Sequence, residues 1–228
     1  MLSIKNIDFA YGNVKAIFDL SLELGEGKIH CVTGRNGVGK TTLMKNIMGL
    51  LQCSKGSIKI GDVDLTTMPP YKRVWEGLAY VPQGRHIFPR LSVEDNLKTG
   101  FRTTRDNIPE EVFDYFPVLK EMIHRSGGDL SGGQQQQLAI GRALVTQPKL
   151  LILDEPTEGI QPNIIQRIGE VLKVLCNERG MTILIVEQYL DFIREFCDTF
   201  TIMNRGQVVH HNDIESLSEE LIVQYLHV

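Results

Sequence analysis

The chain has 228 residues, 42% of them hydrophobic and 23% charged, with a net charge of −4. That length builds one large domain or one core with a smaller subdomain, and the composition is that of an ordinary globular protein. A pI near 5.9 argues against a dedicated basic nucleic-acid surface. The longest purely aliphatic runs, about six residues, fall far short of the ~20 needed to span a bilayer, and "MLSIKNIDFAYG" carries no signal-peptide core. Cys31, Cys53, Cys176 and Cys197 lack CxxC spacing and are expected to be reduced, structural thiols of a soluble cytosolic chain.

In chain order, "MLSIKNIDFAYG" (1–12) and "AIFDLSLELGEGKIHCVTG" (16–34) alternate as strands joined by turns, with a glycine-bounded turn at "GEG". "GSIKIGDVDL" (56–65) reads as a short hairpin. Between these lies a strand-to-helix transition, "KIHCVTG" to "KTTLMKNIMGLL", in which Leu43, Ile47 and Leu50 fall at helical spacing. Residues 89–128 read as helical and more polar. Ser92 with Asp95 forms a capping-box pattern, Pro109 with Glu110 and Glu111 suits a first turn, and Pro117 breaks or kinks the helical stretch at its own position. Trp75, the only tryptophan, is expected to pack. Then come a helix in "QQLAIGRALVTQ", a strand in "KLLILD", a helix in "PNIIQRIGEVLKVLCNERG", a strand in "MTILIVE", and an amphipathic helix in the tail "DIESLSEELIVQYLHV". Strands alternating with helices predict a parallel sheet covered on both faces, an α/β fold.

"GRNGVGKT" (34–41) fits the phosphate-loop pattern G-x-x-x-x-G-K-[ST], in the strand-to-helix context that pattern needs. Its glycines let successive N–H groups curl around a phosphate at a helix N-terminus. Gly34, Asn36, Gly37, Gly39, Lys40, Thr41 and Thr42 are the candidate ligands. Lys40 is expected to reach the β- and γ-phosphates, and Thr41 to ligate Mg²⁺. "LLILDEPTEGIQP" (150–162) sets an apolar run against two carboxylates, whose mutual repulsion and desolvation call for a positive charge. A Mg²⁺–nucleotide would supply it. Asp154 would hold the metal through water, and Glu155 would orient or deprotonate the attacking water; two exposed strand-end carboxylates are the plainer alternative.

"DLSGGQQQQLAIGRALVTQPKLLILDEPT" (129–157) resembles the signature stretch and Walker B strand of ATP-binding cassette (ABC) ATPases. Ser131 can cap a helix while Gly132 and Gly133 leave its N–H groups open to an anion, with Gln134 beside them. Gln135, Gln136 and Gln137 are expected to form a solvated face. The resemblance covers nearly the whole chain. It implies a phosphate-loop NTPase with a RecA-like parallel core, an N-terminal antiparallel β subdomain, and a signature-bearing helical subdomain at about 89–146. It implies ATP and Mg²⁺, and a head-to-tail dimer in which each signature closes on the partner's ATP. Tyr11 matches the aromatic residue that stacks on adenine. Gln83, in "YVPQ", matches the glutamine that senses Mg²⁺ and the γ-phosphate.

Residues Gln83 to Val93, with His86, Phe88 and Pro89 as interface candidates, match the surface that receives a membrane permease subunit. Gln188 stands where the family has a histidine, so a catalytic role there can donate but not titrate, and Gln161 stands where it has an aspartate. The pair points to the group of branched-chain amino-acid and urea importers. "GRNGVGKTTLMKNIMGL", "VPQGRHIFPRLSVEDNL", "DEPTEGIQP" and "VEQYLDF" resemble the urea type more closely. The resemblance therefore implies an ATPase subunit powering import of urea or a short amide, the alternative being branched-chain amino acids. It would pair with a second ATPase subunit as a heterodimer, lie on the inner face of the plasma membrane, and meet a solute-binding protein only indirectly. A non-transport ABC protein acting on nucleic acid or ribosomes, and a nucleotide-binding module without turnover, are the remote alternatives; no nucleic-acid partner is expected. The six histidines show no ligand clustering, and adjacent His210 and His211 point apart in a strand.

Overall fold

A computed structural model describes residues 1–101 and 107–226; part of the expected helical stretch (102–106) and the last two residues of the tail lie outside the described residues. The alternating N-terminal segments form β1 (Leu2–Tyr11) and β2 (Val14–Leu24), an antiparallel hairpin in register from Leu2 opposite Leu24 to Tyr11 opposite Val14. In β2, Leu20, Leu22 and Leu24 are buried while Asp19, Ser21 and Glu23 are exposed, the period of a sheet with one wet face. The "GEG" turn then carries the chain into a different sheet at β3 (Ile29–Thr33), followed by α1 (Lys40–Ile47). β4 (Lys55–Ile60) and the short β5 (Val63–Asp64) return as the expected hairpin, giving a first sheet of order β2-β1-β4-β5.

Next come α2 (Pro70–Trp75), β6 (Leu78–Val81), α3 (Val93–Lys98), α4 (Glu110–Tyr115), α5 (Pro117–Glu121) and α6 (Gly132–Leu144). β7 (Leu150–Asp154), α7 (Pro162–Arg179) and β8 (Thr182–Val186) match the sequence reading closely. The chain ends with α8 (Leu190–Phe196), β9 (Thr199–Asn204), β10 (Gln207–Asp213) and α9 (Glu219–Tyr225). The second sheet has the order β10-β9-β3-β8-β7-β6 and is parallel except for the β9–β10 hairpin at its edge. One face packs Cys31, Leu151, Leu153, Ile183 and Ile185 against α6, α7 and α8. The other packs Val32, Leu150, Ile152, Leu184 and Val186 against α1 and the first sheet. Both faces are therefore covered, which is why β7 and β8 are apolar without alternation.

Local signals behave as chemistry dictates. Ser92 caps α3 by accepting the Asp95 N–H at 2.9 Å, and Pro117 opens α5 after the extended Phe116. Gly180 ends α7 at φ 62°, the left-handed cap that glycine adopts without strain. Two expectations are corrected. Gln136 and Gln137 are only 4% and 5% exposed, because α6 is wedged between α3, α5 and β6 and has almost no free face. Trp75 is 54% exposed, edge-on to Tyr71 at 5.2 Å. The buried side chain of its helix is a cation instead.

That cation is Arg73, 2% exposed. Its guanidinium donates to the carbonyls of Met68 (2.8 Å), Asn46 (2.8 Å), Ile47 (2.7 Å) and Thr66 (3.3 Å), tying α2 to the C-terminal end of α1. Gly49 leaves room for it: a Cβ there would lie 2.6 Å from Arg73 Nε. Arg73→Met keeps the aliphatic bulk but strands these carbonyls, and should lower unfolding stability by about 2–4 kcal/mol. Denaturant titration of the two proteins reads this directly.

Candidate functional site

The phosphate loop joins β3 to α1. Gly34 adopts φ 142°, and a Cβ there would come within 2.3 Å of the Met203 carbonyl oxygen. Gly39, the residue before α1, adopts φ 107°, and a Cβ would sit 2.9 Å from the Ala16 carbonyl oxygen. Neither position accepts a larger residue. Gly37 lies on the open side, where nothing approaches within 4 Å of an added Cβ. Lys40 is buried and folds back onto the loop, its Nζ donating to the carbonyls of Gly34 (2.7 Å) and Arg35 (3.1 Å). Burial lowers its ammonium pKa. The Tyr11 and Thr42 hydroxyls pair at 3.3 Å, and the Tyr11 ring is half exposed beside the loop, edge-on to Phe9.

β7 delivers the carboxylates. Asp154, its last residue, is buried; its two oxygens accept hydrogen bonds from the Thr41 hydroxyl (3.2 Å) and the Tyr80 hydroxyl (3.1 Å). Burial pushes its pKa up, and the hydrogen bonds from Tyr80 and Thr41 oppose the rise. Glu155 turns off the strand at φ 51°, a left-handed conformation that costs a non-glycine residue about 1–3 kcal/mol. Its N–H donates to the Val186 carbonyl at 2.9 Å. The turn directs its carboxylate between two glutamine amides. Gln188 Nε2 donates to Oε1 at 2.9 Å and also to Asn36 Oδ1 at 2.9 Å. Gln83 Nε2 donates to Oε2 at 2.8 Å and to Glu158 Oε2 at 3.1 Å. Burial raises the Glu155 pKa, against the Gln188 hydrogen bond.

Lys40, Thr41, Asn36, Gln83, Asp154, Glu155 and Gln188 thus meet in one place, with Tyr11 and Thr42 at its edge. Ser131, Gly132, Gly133 and Gln134 do not join them: among the described residues no hydrogen bond links 131–134 to the loop 34–42. They form a reciprocal capping box at the start of α6, in which Ser131 Oγ accepts the Gln134 N–H (3.3 Å) and Gln134 Oε1 accepts the Ser131 N–H (2.9 Å). Gly133 faces Ile164, where a Cβ would lie 3.1 Å from that side chain. Gln161 precedes α7 and makes no capping bond. His86, Phe88 and Pro89 lie in the loop after β6, where Phe88 and Pro89 are exposed and His86 is half-buried. Arg142 of α6 braces that loop by donating to the carbonyls of Arg85 (3.3 Å) and His86 (2.9 Å).

Sequence reasoning missed Tyr80, Arg142 and Glu187. Tyr80 sits three residues before Gln83 on a strand neighbouring β7, so the "YVPQ" stretch contained the signal once that strand was placed. Oxygen donors from Thr41 and Asp154, adjacent to a phosphate cradle, suit a hard cation such as Mg²⁺, which takes few protein ligands and completes its shell with phosphate oxygens and water. Among the described residues, no three His, Cys, Asp or Glu side chains cluster as a separate metal cage.

A glycine cradle at a helix start, facing a strand-end carboxylate pair, defines a phosphate-loop nucleotide-binding protein. The ABC transporter family profile matches residues 17–158. The chain is 40% identical over 216 residues to the high-affinity branched-chain amino acid transport ATP-binding protein BraG of Pseudomonas aeruginosa, covering 93% of this chain and 92% of the relative. It is 32% identical to a probable branched-chain amino acid transport ATP-binding protein LivF of Archaeoglobus fulgidus, covering 96% and 94%. Among solved structures, the ADP conformation of the ATP-binding cassette MJ1267 superposes with a TM-score of 0.85 at 28% identity, covering 98% of this chain and 97% of that one. The chain belongs to the ABC transporter family and is an ATP-binding cassette ATPase. The expected α/β architecture, with its antiparallel N-terminal sheet, is the one observed. Among the described residues, no helix is long and apolar enough to cross a membrane.

Proposed function

We propose that this chain is the ATPase subunit of an importer for branched-chain amino acids, acting through separate membrane permease subunits. The observation that carries the cargo is the 40% identity to BraG along nearly the whole of both chains, with LivF in the same direction. These relatives shift the cargo from urea, which sequence motifs favoured, to the branched-chain alternative. Uptake of labelled leucine and labelled urea, in cells whose only copy carries Glu155→Gln, separates the two. Loss of leucine uptake with urea uptake intact is the expected result; the reverse returns the cargo to urea, and no change in either removes the transport role.

In this reading Tyr11 stacks on adenine, while the N–H groups from Gly34 to Thr42, with Asn36, enclose the phosphates. Lys40 leaves its loop carbonyls for the β- and γ-phosphates. Thr41 and Asp154 hold Mg²⁺, which when bound neutralises phosphate charge, with Gln83 sensing it from the far side. Glu155 orients or deprotonates the water, and Gln188 holds Glu155 and Asn36 in register at 2.9 Å from each. The segment 89–146 is the helical subdomain presenting Ser131, Gly132, Gly133 and Gln134 to the ATP of a second ATPase subunit, in a head-to-tail heterodimer. The loop Gln83 to Val93 meets the permease at the inner face of the plasma membrane. The link from Gln83 to Glu155 supports this coupling, because movement of that loop reaches the hydrolytic carboxylate through one amide.

A further inference from the structure

Glu187 lies just past the end of β8, is 3% exposed, and has no part in the steps above. Four donors converge on its carboxylate. Oε1 accepts the Thr157 N–H (3.1 Å) and the Thr157 hydroxyl (2.5 Å), and Oε2 accepts the N–H groups of Gln188 (2.7 Å) and Tyr189 (3.1 Å). Thr157 lies two residues after Glu155, in the turn that leads toward Gln161. Gln188 is the residue whose amide holds Glu155. One buried group thus fastens both chain segments that flank the hydrolytic carboxylate. A carboxylate only accepts, with about four lone-pair sites, and matches this donor set; an amide in its place would turn an NH₂ toward donors. Burying a carboxylate at the end of an apolar strand is costly unless its donors are supplied, and here the donors come from these two loops alone.

We propose that Glu187 is a positioning residue for ATP hydrolysis, locking the Thr157 turn and the Gln188 loop together so that Gln188 meets Glu155 in working geometry. The inference rests on Glu155 acting on the water. In the full-length chain, Glu187→Gln should lower kcat by about 10–100-fold, the scale of a small misplacement at a reacting centre. KM for ATP and the Kd of a fluorescent ATP analogue should stay within about threefold, since Lys40 and Tyr11 do not touch Glu187. Adding Gln188→Ala should lower kcat little beyond the worse single variant, because residues acting as one unit are non-additive. Loss of binding in step with loss of kcat, or effects that multiply, would mean simple structural support and overturn the proposal, as would an unchanged kcat. Should Glu187→Gln fail to fold, Thr157→Val removes one donor and should lower kcat alone by about 3–10-fold; no change there also overturns it. Glu155→Gln serves as the control. If it hydrolyses normally, both readings fall; if it is inert while Glu187→Gln is normal, only the Glu187 proposal fails.

Discussion

Glu155→Gln should slow ATP hydrolysis by about 10²–10⁴-fold, the usual contribution of a positioned general base, while leaving ATP binding nearly unchanged. The side chain sits between the Gln83 and Gln188 amides with both oxygens engaged, so a residue of the same shape keeps the site assembled. What disappears is the proton acceptor. Burial raises the pKa of the carboxyl toward the working pH, which favours proton abstraction and means that the wild-type rate falls as acid protonates it. Phosphate release in steady state, set beside equilibrium binding of a fluorescent ATP analogue, separates the effects. A variant that hydrolyses within about tenfold of wild type would move catalysis to another group.

Lys40→Met should abolish protection by nucleotide. In the wild type, ATP at about 100 times Kd stabilises the fold by about 2.7 kcal/mol, which for a chain of this size is a Tm rise of roughly 5–10 °C. Without the ammonium the γ-phosphate loses its main cationic partner, and both the rise and hydrolysis should vanish. The nucleotide-free protein should melt close to wild type, because two opposing effects are removed together. The hydrogen bonds to the Gly34 and Arg35 carbonyls disappear, but so does the desolvation that lowers the Lys40 pKa. Differential scanning calorimetry with and without Mg–ATP tests this. A full ATP-induced rise in Lys40→Met would remove Lys40 from the binding site.

The parts of this molecule that were legible in sequence are those whose chemistry is local. "GRNGVGKT" needs its glycines within eight residues, "LLILDE" ends a strand in two charges, and Ser131 caps the helix that begins beside it. The alternating and continuous apolar runs separated the two sheets for the same reason, because burial on one face or two is written into each strand. What was hidden depends on distant partners. Tyr80 meets Asp154 only because β6 lies next to β7, and Glu187 meets Thr157 across thirty residues of sequence. β6 itself is four residues long, too short for its period to register. Gln136 and Gln137 read as a wet face, yet α6 is enclosed by neighbours that the sequence of the helix cannot reveal. Gln188 was legible as a donor that cannot titrate. That its amide bridges Asn36 and Glu155 emerged only from the fold.

The phosphate cradle grows from the parallel sheet, yet Gly39 rests on Ala16 of the antiparallel one, and the Phe18 N–H reaches the Gly206 carbonyl at 2.9 Å. Tyr11, from the same antiparallel sheet, touches Thr42 of α1. The nucleotide is therefore seated on a seam, and acts there as a rivet driven through two plates. Each round of binding clamps the plates and each departure of product slackens them. Rigidity is delivered with the fuel, and the same molecule that powers the stroke stiffens the lever that transmits it.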